Sequence, residues 1–417
     1  MRSLKIILLS TAFNGLTQRA WLSLREAGHE PSVVLFSSEE EVCRQIEDSG
    51  AQLVICPFLK DRVPAQLWRN AERPVVIIHP GIVGDRGASA LDWAISRKLS
   101  YWGVTAMQAA EEMDSGAIWA TREFEMPAQV RKSQLYNGPV ADAALACIHE
   151  VVAKFGTDFE PTPLNYDSPE VRGHLQPNMK QSDRSFSWHD GAEFIKRRID
   201  AADGQPGVLA TLQGEQFYLY DAHLDSRCGT PGQLLAVHDL RLLQWSDEHR
   251  TVPSAGECAA LGQGAGHQGP GISGWARQFL QRRAPERHSE AWANIRAIND
   301  VCRELLSARQ LVISGLTGSA GAGGVMLALA ADVVLARDGI VLNPHYKTMG
   351  LYGSEYWTYS LPRAVGSDLA LQLTQQCLPL STTQALAMGM LQGIGPRCPQ
   401  AFGEWLMGPG RRAAQGS

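Results

Sequence analysis

No two of the eight cysteines stand at CxxC spacing, and no histidine cluster accompanies them, so the chain carries no zinc motif and no metal centre is expected. Thiols scattered this way suit a reducing compartment, where each serves as a small buried hydrophobe. Runs of like charge are missing as well. The formal net charge is −5, which excludes the basic footprint of a nucleic-acid-binding surface and leaves small molecules as the expected partners. Long apolar runs are absent. Ile6-Ile7-Leu8-Leu9 is too short for a signal core or a membrane span and reads as a buried first strand. The cytoplasm is therefore the expected compartment, with no membrane association. No internal repeat is present.

What remains is an ordinary globular composition, 44% hydrophobic and 19% charged over 417 residues, long enough for two or three domains at about 150 residues each. From Lys5 to about residue 150, strand-like runs alternate with helical ones. Strands are expected at Lys5–Ser10, Ser32–Phe36, Leu53–Cys56 and Val75–His79, with helices at Leu16–Ala27 and Glu39–Asp48. This alternation predicts a parallel sheet with helices on both faces, and ligands bind beyond the carboxyl ends of such strands. His79 lies at that end. A small mixed unit follows, with a helix over Trp188–Ile199 and strands at Gly207–Leu212 and Gln216–Ala222, read as a partial barrel. Seven glycines between Gly256 and Gly274 mark a linker. Order then resumes with a helix at Ala291–Leu306, a strand at Leu311–Leu316, a helix opening at Gly323, and strands at Asp332–Ala336 and Ile340–Asn343. The expected organisation is 1–180, 181–245, a Gly-rich linker at 246–290, and 291–417.

Two constellations carry chemistry. In the first, Ile77-Ile78-His79-Pro80-Gly81 joins a buried strand to the turn Ile82-Val83-Gly84-Asp85-Arg86-Gly87, and Glu112-Met113-Asp114-Ser115-Gly116 lies further on. Acyl transfer needs a proton acceptor for the attacking group and a donor for the tetrahedral oxyanion. A strand-end histidine supplies either, and a carboxylate such as Asp114 fixes its tautomer and stabilises its cation. By themselves, these two residues are weak evidence and read first as a satisfied histidine and a turn aspartate.

Their ordered context decides. His79-Pro80, Arg86-Gly87, Gly103-Val104-Thr105 and Asp114-x-Gly116 resemble, in order and spacing, the formyltransferases that use 10-formyltetrahydrofolate. Phe186-Ser187-Trp188, Ile195 to Ile199 and Gln205-Pro206-Gly207-Val208 resemble the accessory domain of that family. The resemblance implies His79 and Asp114 as catalytic groups. Ile77 stands where the family carries an Asn that helps to hold the formyl oxygen. Loss of one such donor costs on the order of 10²–10³ in rate, so either the site is weakened or it handles a different acceptor, such as a thiol, the better nucleophile once ionised.

The second constellation is Val312-Ile313-Ser314-Gly315-Leu316 followed by a Gly-rich turn through Gly321, Gly323 and Gly324. Glycines let a ligand approach the backbone, and amide N–H groups at a helix start stabilise negative charge. Tight packing of a turn is the alternative. This stretch, with Asp332-Val333-Val334-Leu335-Ala336, Arg363-Ala364-Val365-Gly366 and Leu380-Ser381, resembles the crotonase (enoyl-CoA hydratase/isomerase) family, which implies Gly323 as an oxyanion donor. Met326 replaces the hydratase glutamate, which argues against water addition. Tyr346 and Glu355 are the expected polar groups.

A formyltransferase-like part joined to a crotonase-like part resembles the HypX/HoxX hydrogenase maturation factors. The fold class expected is α/β: a Rossmann-like formyltransferase domain, a small mixed accessory domain and a partial crotonase-like domain trimmed at both sides. The resemblance implies cofactor contacts at Ile82, Val83, Met113, Gly321 and Gly324. It also implies transfer of formyl from 10-formyltetrahydrofolate to coenzyme A, release of carbon monoxide from formyl-CoA for the hydrogenase iron, and other maturation proteins as partners. The alternatives are formyl transfer alone, or a non-catalytic folate- or coenzyme A-binding partner protein.

Overall fold

The computed structural model describes residues 3–203, 207–212, 214–224, 229–233 and 284–408. The Gly-rich stretch expected as a linker falls largely outside these residues, as do Gln205-Pro206 and the segment after Gly408. The chain divides into two compact units near residue 245.

The first unit is built on a six-stranded sheet in the order β2-β1-β3-β4-β5-β6. Its strands are β1 (Lys5–Ser10), β2 (Glu30–Leu35), β3 (Leu53–Phe58), β4 (Val75–His79), β5 (Tyr101–Gln108) and β6 (Ile118–Glu125). Among the described residues, eight α-helices accompany them: α1 (Gly15–Glu26), α2 (Glu39–Asp48), α3 (Ala65–Trp68), α4 (Ala90–Ser96), α5 (Lys132–Leu135), α6 (Ala141–Lys154), α7 (Gln181–Arg184) and α8 (Ala192–Ala201). α1 forms because the Asn14 side chain accepts the Thr17 N–H at 3.0 Å, and Leu16, Ala20 and Leu24 bury one face at a spacing of four. Ser38 caps α2 in the same way, and Glu39, Glu40 and Glu41 place negative charge at the positive end of the helix dipole.

The sheet is mixed rather than parallel throughout. β2, β1, β3 and β4 run parallel, but β5 is antiparallel to β4 and β6 to β5. The direction follows from where each connection re-enters the sheet. After β4 the chain makes a turn and the short α4, then re-enters the sheet from the end it left. β5 and β6 are joined by a hairpin, which cannot join parallel strands. Val54, Ile55, Val75 and Val76 are fully buried between the helical layers.

In the accessory segment the helix starts at Ala192, later than expected. Ser187 and Asp190 close a turn instead, with Asp190 Oδ2 accepting the Ser187 N–H at 2.8 Å. β7 (Val208–Leu212) and β8 (Glu215–Leu219) form an antiparallel hairpin whose Val208 and Leu219 pack on Ile195, Ile199 and Ala202. Whether a barrel is completed turns on residues outside those described.

The second unit has a long helix, α9 (Ala284–Leu306), then β9 (Ile313–Leu316), β10 (Ala320–Gly321), α10 (Gly323–Ala328), β11 (Val333–Arg337), β12 (Val341–Asn343), β13 (Leu380–Ser381) and β14 (Gly393–Gly395). Its strands form two three-stranded sheets, β14-β11-β9 and β10-β12-β13. Val325, Met326, Leu342, Leu361 and Met390 are central to its core. Among the described residues, no helix is long and apolar enough to cross a membrane.

Ile55 sits on a strand flanked on both sides and is fully buried. Ile55→Ala is expected to cost about 2–5 kcal/mol, read as a lower midpoint in urea unfolding followed by Trp fluorescence.

Candidate active sites

β4 ends at His79, and the turn after it is tied back to the sheet. Trp102 Nε1 donates to Pro80 O at 2.9 Å and Thr105 Oγ1 donates to Gly81 O at 2.8 Å. Gly81 is required here: a Cβ would stand 2.5 Å from both His79 Nε2 and Asp85 Oδ2. The turn brings Asp85 back onto the imidazole, with Oδ2 2.9 Å from Nε2. The other ring nitrogen, Nδ1, faces Asp114 Oδ2 at 3.4 Å. Asp114 also accepts the Gly87 N–H at 3.2 Å and adopts a left-handed backbone, φ 54°. All three side chains are buried.

His79 and Asp114 line a cavity of about 980 Å³ at the carboxyl ends of β3 and β4, a size suited to a nucleotide-sized or folate-sized ligand. Asp85 is not among its lining residues. Asp85 therefore meets the ring away from the cavity, and Asp114 meets it at the cavity's edge. Sequence reasoning expected Asp114 beside His79, where the structure places it, and missed Asp85. The signal was present in the six-residue spacing to His79 across a Gly-rich turn. Burial opposes protonation of His79 most, but the Asp85 hydrogen bond and the charges of Asp114 and Asp85 outweigh it, so its pKa is raised.

The expected contact residues divide. Met113 lines the cavity, and its carbonyl accepts Arg86 Nε at 2.8 Å. Ile82 and Val83 are not among the lining residues. They build the turn, with Ile82 O accepting the Asp85 N–H and Val83 O accepting that of Gly173. Ile77 does line it, as an apolar wall. Tyr136 lines it too, its hydroxyl accepting Asn14 Nδ2 at 3.1 Å.

In the second unit, Gly323, Tyr346 and Glu355 converge. The Tyr346 hydroxyl donates to Glu355 Oε2. A Cβ on Gly323 would stand 2.5 Å from Glu355 Oε1, so only glycine admits the carboxylate there. Gly323 opens α10, whose first N–H groups have no carbonyl one turn back. The preceding Ala322 is strained, with φ 47°. Gly321 lies in β10 beside Asn343 O, and Gly324 beside the Ala320 methyl. Glu355 is 2% exposed and Tyr346 7%. Burial, then the Glu355 charge, raises the Tyr346 pKa far above its usual range and keeps it a neutral donor. Met326 is fully buried in the core.

These features define the class: a formyltransferase-type unit followed by a unit of enoyl-CoA hydratase/isomerase type. Formyl transferase matches residues 27–152, the formyl transferase C-terminal domain 178–244, and enoyl-CoA hydratase/isomerase 272–407. Hydrogenase maturation factor HoxX of Bradyrhizobium diazoefficiens is 34% identical over 94% of this chain and 81% of its own length. Crystal structures of HypX from Aquifex aeolicus are similar over 99% of the chain. One of a variant has a TM-score of 0.81 at 30% identity and 89% coverage of that chain. One in complex with tetrahydrofolic acid has a TM-score of 0.78 at 31% identity and 86% coverage. The chain belongs to the HoxX/HypX family of hydrogenase maturation factors.

Folding raises the His79 pKa above its ordinary 6.5. The resulting stability is complete below that value and is lost as pH rises through the folded pKa. Asp85→Asn removes one charge and leaves burial to dominate, so the His79 titration is expected to move down. Imidazole NMR shifts followed against pH check this, and an unmoved titration contradicts it.

Proposed function

We propose that the first site moves a formyl group from 10-formyltetrahydrofolate to the thiol of coenzyme A, and that the second site releases carbon monoxide from the formyl-CoA. The observation that carries the reading is the His79 imidazole held between Asp85 and Asp114 at the wall of a folate-sized cavity. In the first step, the C–S bond forms as His79 takes the thiol proton. The tetrahedral oxyanion is held by backbone N–H groups and the imidazolium, and the C–N bond then breaks as a proton returns to the folate nitrogen. Asp85 holds the ring, and the charge of Asp114 favours the imidazolium. The Ile77 wall supplies no hydrogen-bond donor, which suits a thiol nucleophile better than an amine.

In the second step, Glu355 takes the formyl proton, the C–S bond breaks to give carbon monoxide, and the sulfur takes a proton from Tyr346. The proton on Glu355 replaces it across their hydrogen bond, so the net change moves one proton from carbon to sulfur. Gly323 N–H supports the carbonyl oxygen. Ile82, Val83, Met113, Gly321 and Gly324 serve this reading as the shells of the folate and coenzyme A sites, Ile82 and Val83 through the turn that carries Asp85. The setting in which the product is used is the cytoplasmic assembly of the hydrogenase iron site, alongside other maturation proteins.

The test mixes purified protein with 10-formyltetrahydrofolate and coenzyme A, following formyl-CoA by mass spectrometry and carbon monoxide by the spectral shift of haemoglobin. Both products are expected, and His79→Ala should lower their formation on the order of 10²–10⁴-fold. Glu355→Gln should preserve formyl-CoA formation and abolish carbon monoxide. Formyl-CoA without carbon monoxide in the unmodified protein would leave formyl transfer alone. Neither product would favour a binding protein.

A further inference from the structure

Glu355 reaches its place through an unusual backbone. Glu355 and Tyr356 are consecutive non-glycine residues in the left-handed region, with φ 56° and 50°. A side chain there is strained, and such a conformation persists only where the surroundings over-determine it. Gly353, at φ 92°, packs so closely under the Tyr346 and Trp357 rings that a Cβ would meet them at 2.6–2.7 Å, which fixes the approach to the turn. The carboxylate end is held by Tyr346. Among the described residues, no Lys, Arg or His forms an ion pair with Glu355.

The backbone end is held from α9. Asn299 Oδ1 accepts the Glu355 N–H at 2.9 Å. Cys302, one turn further along α9, is fully buried, and the Glu355 charge adds to burial in pushing its thiol up to about 12. Asn299 and Cys302 thus put one face of α9 against Glu355, one by hydrogen bond and the other as a neutral neighbour.

We infer that Asn299 is the positioning residue of the second site, holding the Glu355 N–H so that the left-handed turn aims the carboxylate between Gly323 and Tyr346. The inference rests on the reading of Glu355 as the proton acceptor. Acceptance by a side-chain carbonyl, rather than by a neighbouring strand, frees the 353–356 turn from sheet geometry. Loss of Asn299 lets the turn relax out of the left-handed region and withdraws the carboxylate from Gly323.

The test supplies formyl-CoA directly to the full chain, bypassing the first site, and compares unmodified protein with Asn299→Ala and Asn299→Asp. Asn299→Ala is expected to lower kcat for carbon monoxide release about 10²-fold, the effect of a small misplacement of a reacting group, with KM little changed. Asn299→Asp keeps the acceptor oxygen and should restore most of the rate. Hydrogen exchange at the Glu355 amide is measured in parallel: protection should fall in Asn299→Ala and return in Asn299→Asp, with the buried strand β11 of the same unit unchanged as a control for folding. Unchanged protection at Glu355 in Asn299→Ala overturns the inference whatever the rate does, and so does a loss of rate that Asn299→Asp shares in full. If the unmodified protein releases no carbon monoxide, the decarbonylation reading fails, and the amide exchange alone then decides whether Asn299 holds the turn.

Discussion

A titratable group taken out of water must find partners, and in this protein that requirement shapes the surroundings of both sites. His79 is buried at the end of its strand, and Thr105, opposite it on β5, is buried too. Its ring nitrogens are met by Asp85 at 2.9 Å and Asp114 at 3.4 Å. Neither carboxylate could stand there without further constraints. Asp85 needs a turn with glycine at position 81, and Asp114 needs a left-handed backbone and the Gly87 N–H. Trp102 and Thr105 on β5 pin the same turn. The antiparallel placement of β5 is therefore tied to the geometry of the imidazole, because it puts Thr105 opposite His79.

The second unit meets the same requirement with a carboxylate in place of an imidazole. Glu355 is buried, and its oxygens are met by the Tyr346 hydroxyl and the space above Gly323. In both units a buried acid or base is admitted by a glycine with no room for a side chain, and by a non-glycine residue held at positive φ. Strain of this kind costs on the order of 1–3 kcal/mol per residue, and it is repaid only where packing and hydrogen bonds leave the chain no other arrangement.

Much of this was legible in the residues. β1, α2 and β4 run as the hydrophobic pattern indicated, because buried β-branched strands and a capped acidic helix are local signals. His79 and Asp114 stood out through ordered motifs. The antiparallel half of the first sheet was less visible: strand direction follows from where a connection re-enters the sheet, and a buried strand looks alike in either direction. Asp85 was within sight but without a role, since six residues of Gly-rich turn do not reveal which way a side chain returns. The later start of the helix at Ala192 reflects a Ser187–Asp190 turn that competes with the first helical turn.

The residue types alone determined that the chain has an α/β fold with a strand-end histidine, a Gly-rich turn before a second helix start, and a tyrosine and glutamate nearby in sequence. These rest on local periodicity and motif order, which need no third dimension. Only the tertiary structure decided that Asp85 as well as Asp114 meets His79 and which of the two borders the cavity, that Met113 lines that cavity while Ile82 and Val83 build the turn beside it, and that Asn299 reaches Glu355 across 56 positions of sequence. Hydrogen bonds between distant residues depend on angles set by packing, and packing is a property of the whole folded unit rather than of any one segment.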